Sequence, residues 1–208
     1  MKSLYFSNYF NSINKGLVDS QYFFNQIKID ADSFFEDIKG ILLKLRETNN
    51  RIYFFGNGAS AAFANHMALD FSKNGKILSR SLSDSSLLTA LSNDYSYENA
   101  MLEYLKIEGV TKEDFVITIS SSGNSPNIIS VLNYCNGVNI KSLALSGLKD
   151  DNKSIALADY SIYVPMKTYG MVECIHQIFL HLMLDESMGI EEWERNESQN
   201  MNSKNFKL

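Results

Sequence analysis

The spacing of apolar positions changes near residue 51. Before that point, apolar residues in 4–27 and 34–45 recur at three- and four-residue steps, which predicts two helices. Asp30-Ala31-Asp32-Ser33 supplies an N-terminal signal for the second. After it, short apolar runs at 51–55, 77–81, 115–119, 140–145 and 160–164 alternate with helical patterns, the last over 172–186. Such alternation predicts βαβ units. The expected fold is an α/β three-layer sandwich with a central, mainly five-stranded parallel sheet and added N-terminal helices. Pro126 and Pro165 fall at element boundaries, where a missing N–H costs least. Without repeat or linker, residues 1–208 read as one domain, with 1–50 a helical extension and 188–208 a polar, weakly ordered tail whose start Trp193 could pin.

Two turns in this pattern carry chemistry. The apolar strand ending at Ile119 empties into Ser120-Ser121-Ser122-Gly123-Asn124-Ser125 before a helical run. Small residues let the backbone close on an anion, and a helix N-terminus adds free N–H groups and a positive dipole end. Arg51-Ile52-Tyr53-Phe54-Phe55 likewise runs into Gly56-Asn57-Gly58-Ala59-Ser60. Two such turns predict a phosphorylated small molecule lying across the ends of a parallel sheet.

Composition narrows the partners. A chain of 208 residues with 45% hydrophobic content is enough for one full core. The net charge of −5, with no Lys/Arg cluster, argues against nucleic acid, which needs a basic footprint. The first ten residues lack an apolar signal core, and no stretch is long enough to span a membrane, so a cytoplasmic location is expected. Cys135 and Cys174 sit in apolar helical patterns and read as buried free thiols. The 13 Phe and 11 Tyr, many in the N-terminal helices, exceed what one helix on a sheet buries and predict an oligomer interface.

Acid–base candidates are few, because the chain has three histidines. His66 and Asp70 are four apart on one helical face, a metal-ligand spacing that surface pairs also show. In the last helix Glu173 and His176 are three apart, and Gln177 and His181 four apart. Glu173 and His181 are eight apart, about 80° around an ideal helix. Spacing alone does not choose between His176 and His181.

The strings Gly56-Asn57-Gly58-Ala59-Ser60 with Ala64-Asn65-His66, then Leu91-Ser92-Asn93-Asp94-Tyr95, then Ile119 through Ser125, resemble the SIS (sugar isomerase) fold, a flavodoxin-like sandwich. Within it the chain looks most like the phosphoheptose isomerases, over about residues 51–186. That resemblance implies a ketose–aldose isomerase of sedoheptulose 7-phosphate in heptose, lipopolysaccharide or capsule biosynthesis, working through an enediol. It implies substrate contacts from Asn57, Ser60 and Asp94, and phosphate contacts from Ser120, Ser121, Ser122 and Ser125. It also implies a divalent metal, zinc, on His66, Asp70, Glu173 and His181, and a homotetramer. Asp70 then stands as base and His181 as acid, with Glu173 the second candidate base; His176 becomes the core histidine.

Several positions depart from the family pattern. Asp70 stands for Glu, Glu173 for a neutral Gln and Ser121 for Thr; Lys73-Asn74 occupy the stretch of a substrate-facing Arg, and Tyr169-Gly170 that of an Asp. These changes keep the cradle and much of the metal site and alter the sugar end, which leaves an isomerase of a different sugar phosphate as an alternative reading. The competing class is a non-catalytic sugar-phosphate sensor or protein-binding platform; the charged residues at the proposed site argue against it.

Overall fold

The structure, a computed structural model, describes residues 4–194. The chain runs α1 (Tyr5–Val18), β1 (Gln21–Phe24), β2 (Ile27–Ile29), α2 (Ala31–Thr48), β3 (Ile52–Gly56), α3 (Ala59–Lys73) and β4 (Ser79–Ser81). It continues through α4 (Ser85–Tyr95), α5 (Tyr97–Ile107), β5 (Phe115–Ser120), α6 (Pro126–Val138), β6 (Lys141–Gly147), α7 (Lys153–Leu157), β7 (Tyr160–Val164) and α8 (Tyr169–Met188). All five apolar runs are strands. They form a parallel sheet in the order β7-β6-β5-β3-β4.

The sheet divides the core in two because successive side chains on a strand face opposite ways. Ile52 and Phe54 of β3, with Phe115, Ile117 and Ile119 of β5, join Phe34 and Leu42 of α2, Phe71 of α3 and Phe179 and Leu180 of α8. Tyr53, Phe55 and Val116 instead meet Leu105 of α5 and Ile128, Leu132 and Cys135 of α6. Strands covered on both faces are apolar throughout, which is why β3 and β5 read as continuous runs rather than alternation.

The N-terminal region differs from the two expected helices. The first helix stops at Val18, and residues 21–29 form an antiparallel hairpin that pairs with β7, giving a seven-stranded sheet. Asn25 and Gln26, both at positive φ (48° and 68°), make its two-residue turn. Aromatic residues in this stretch fit helical and strand spacing equally, and the turn lacks the glycine that signals a hairpin. The Asp30 carboxylate caps α2, accepting from the Ser33 N–H at 2.9 Å.

Two smaller expectations change. Cys135 is buried, and burial pushes its thiol up to about 12. Cys174 is exposed, on the outer side of α8 near Tyr9 of α1. Trp193 is 80% exposed in the short 3-10 turn Glu192–Glu194, so little of its ring is buried against the described fold. The remainder of the expected tail, 195–208, lies outside the described residues.

Candidate active site

β3 and β5 are neighbours, yet the chain leaves them in opposite directions, from β3 outward to β4 and from β5 toward β6. The crevice beyond their C-terminal ends is the topological switch point, where open α/β sheets bind ligands. Both small-residue turns lie there. Gly56 lets α3 begin tight against β3, since a Cβ would stand 2.6 Å from the Ser60 backbone. Gly123, at φ +62°, turns the serine loop where a Cβ would collide with the Asn152 amide. The loop is fastened from behind: the Gly123 carbonyl accepts from the Ser154 N–H at 3.0 Å and its hydroxyl at 2.8 Å. The Asn124 side-chain Oδ1 accepts from the Lys153 N–H at 3.0 Å.

A cavity of about 110 Å³ sits between these turns. Asn57 and Ser60 line it from the first turn, Ser120, Ser121, Ser122 and Ser125 from the second, and Tyr169 and Glu173 from α8. The Ser120 and Ser125 hydroxyls are 3.3 Å apart. The Ser121 hydroxyl is buried without a hydrogen-bond partner among the described residues, an arrangement that a bound acceptor would satisfy. Ser125 precedes α6 but makes no capping bond, so its hydroxyl stays with the cavity. Among the described residues, no Lys or Arg lines the pocket. Hydroxyls, backbone N–H groups and the start of α6 must therefore hold an anion, against the one carboxylate, Glu173. Asn57 is itself held by Asn127 at the start of α6 and by Tyr97 at the start of α5.

A second group lies where α3 meets α8. His66 Nε2 is 3.2 Å from Asp70 Oδ2, and the His66 and His181 ring centroids are 5.7 Å apart. The Gln177 side-chain nitrogen sits 2.8 Å from His181 Nε2 and 3.8 Å from Met67 Sδ. His176 is fully buried with Nε2 3.1 Å from the Ser146 carbonyl, and burial pushes its imidazole down to about 4. It is a neutral core residue.

Of the residues singled out in the sequence, Asn57, Ser60, the four serines and Glu173 share the cavity, and His66, Asp70 and His181 form the second group. Asp94 joins neither: it is exposed in the last turn of α4, where it accepts from Asn93. Asn127, Tyr97 and Gln177 went unassigned; only the four-residue step from Gln177 to His181 hinted at any of them. Two imidazoles and two carboxylates are donors that suit zinc. Among the described residues, however, no three His, Cys, Asp or Glu side chains are placed to share one ion.

Comparisons with known proteins give the family and the fold. The SIS domain family matches residues 24–147. The phosphoheptose isomerase of Helicobacter pylori (strain Shi470) is 32% identical over 151 residues, 70% of this chain and 78% of that protein. That of Akkermansia muciniphila is 30% identical over 182 residues, 80% of this chain and 95% of that one. The solved structure of phosphoheptose isomerase GmhA from Neisseria gonorrhoeae has the same fold, with a TM-score of 0.74 at 24% identity over 88% of this chain and 95% of that one. The fold and switch-point cavity thus define a sugar-phosphate isomerase of the SIS class. Within that class the chain belongs to the phosphoheptose isomerase family.

Proposed function

We propose that the protein interconverts sedoheptulose 7-phosphate and a heptose 7-phosphate, moving a proton between adjacent carbons through an enediol. The observation that carries this reading is the serine-lined cavity at the switch point, with the His66, Asp70 and His181 group farther along the same helices. The substrate carries its phosphate on C7 and its carbonyl at C2, so the anchored and reacting ends are far apart. Glu173 and His181 are eight residues apart on α8, a rise of about 12 Å. A phosphate in the cradle beside Glu173 therefore lets the sugar run along α8 toward Gln177 and His181. Phosphate binding energy then positions the distant carbons.

At the reacting end, the Asp70 carboxylate takes the proton from C1 of the ketose and returns it to C2 of the enediol, with His66 holding the carboxylate in place. The His181 imidazole handles the proton on the adjacent oxygens, with Gln177 orienting the ring. Glu173, in the cavity wall, accepts from sugar hydroxyls. Glu173 remains the second candidate base because its charge stands where the family has a neutral Gln. The family resemblance puts a divalent ion such as zinc on His66, Asp70, Glu173 and His181, where it would supply Lewis-acid polarisation, although the described residues of one chain do not gather three of these donors around one point. Every step above uses the chain's own groups.

The chain works as a homo-oligomer, a tetramer by family resemblance. Support comes from the apolar surface on α1, α3 and α8, where Phe6 is 74%, Phe10 55% and Leu69 59% exposed. No helix of the described residues is long and apolar enough to cross a membrane, which accords with a cytoplasmic enzyme. A coupled assay on a panel of ketose phosphates tests the function. Conversion of sedoheptulose 7-phosphate is expected; tight binding of one ligand without turnover would place the protein among the sensors.

A further inference from the structure

The Asn57 amide belongs to a hydrogen-bond chain whose polarity is fixed from one end. The backbone N–H of Ile128, which can only donate, lies 3.0 Å from the Asn127 side-chain oxygen. That oxygen also accepts from Asn57 Nδ2 at 2.9 Å, so the Asn127 nitrogen must face Asn57 Oδ1, to which it donates at 2.9 Å. The Tyr97 hydroxyl is 2.8 Å from the same Asn57 oxygen and must therefore be a donor. Amide orientation is ordinarily inferred from such networks, and here a main-chain donor settles it. Both lone pairs of Asn57 Oδ1 are then used, as is one hydrogen of Nδ2. One N–H remains, and Asn57 lines the serine cavity. Asn127 is 2% exposed, which leaves its amide no competing water.

We propose that Asn127 and Tyr97 are positioning residues that fix the Asn57 amide so that it presents an N–H, and no acceptor, to an oxygen of the bound phosphate group. This rests on the reading of the cavity as a sugar-phosphate site. The network also ties the turn after β3 to the starts of α5 and α6, so the two halves of the cradle are held at one spacing. Tyr97 and Asn127 act on the ligand through Asn57 alone.

The test is a double-mutant cycle read by calorimetric binding of inorganic phosphate, with isomerisation of sedoheptulose 7-phosphate measured separately. Tyr97→Phe should weaken phosphate binding about 3- to 10-fold, the range for one lost hydrogen bond, with an unchanged melting temperature because Tyr97 is 53% exposed. In an Asn57→Ala background the same substitution should cost nothing further, since its effect is transmitted only through that amide. Unchanged affinity in Tyr97→Phe, an equal loss in both backgrounds, or absence of phosphate binding by the wild type overturns the proposal. If Asn57→Ala binds too weakly to measure, the Tyr97→Phe arm decides by itself. A protein that shows the coupling but leaves sedoheptulose 7-phosphate unchanged retains this network and loses the isomerase reading. Turnover without the coupling does the reverse.

Discussion

The imidazoles of His66 and His181 meet edge-on at a centroid distance of 5.7 Å and an interplanar angle of 63°, although they come from separate helices, α3 and α8. This closeness places the predicted acid beside the carboxylate that His66 holds at 3.2 Å. Neither helix could form the group alone. Packing of α3 and α8 on one face of the sheet, through Met67, Phe71, Leu180 and Leu184, brings them together.

Asp70→Ala and His181→Ala should each lower kcat by at least about 100-fold, the usual scale for a lost acid or base. Steady-state kinetics on sedoheptulose 7-phosphate checks this. Rates like the wild type's in both variants would remove the assignment. Glu173→Gln separates the two carboxylates: a loss as large as that of Asp70→Ala would make Glu173 the base.

Metal dependence has its own readout. Dialysis against a chelator should suppress turnover, and added zinc should restore it. Mass-spectrometric metal analysis should find stoichiometric metal in the wild type and little in His66→Ala or His181→Ala. Full activity in rigorously metal-free protein is the contrary result.

The serine loop should be sensitive in two different ways. Ser121→Ala removes an unpaired hydroxyl from the cavity, so KM should rise about 10-fold with little change in melting temperature. Gly123→Ala puts a side chain on a positive-φ residue against Asn152, and should cost more than about 1 kcal/mol of stability. A stable Gly123→Ala protein with a normal KM would contradict the cradle described above.

His176 predicts a pH effect on stability rather than on chemistry. Its folded-state value, about 4, lies below the ordinary 6.5 because burial disfavours the charged ring. Between those values the unfolded chain binds more protons, so stability rises with pH there. Its contribution is complete above pH 6.5 and is lost as pH falls toward 4. Melting temperatures from pH 4 to 7 should follow this course, and His176→Gln should flatten it. A slope unchanged in that variant would assign the titration elsewhere.

Association should depend on the exposed aromatic side of α1. Phe6→Glu with Phe10→Glu should yield smaller species in light scattering while leaving the circular dichroism of the fold intact. An unchanged mass would move the interface away from α1.

Much of this was legible in the sequence because the strands that carry the site are buried on both faces. Their apolar runs at 51–55 and 115–119 end in small residues, so strand, turn and helix could be read in order. The hairpin was not legible: Tyr22, Phe23 and Phe24 suit either period, and the sheet edge at β7 decides between them. Cys174 misled for a related reason, since apolar neighbours along a helix do not say which side meets water. Asn127 and Tyr97 escaped because their roles exist only across long sequence separations, 70 residues from Asn57 to Asn127 and 40 to Tyr97. Asp94 shows the converse, a residue matching a motif but standing outside the cavity of a single chain.

The hairpin at residues 21–29 gives the N-terminal extension a duty apart from catalysis. It occupies the hydrogen-bonding rim of β7, a strand buried along its whole length. A protein shortened to begin near residue 30 would bare that rim as a template for intermolecular strand addition, so precipitation of the trimmed enzyme should precede any loss at its catalytic group.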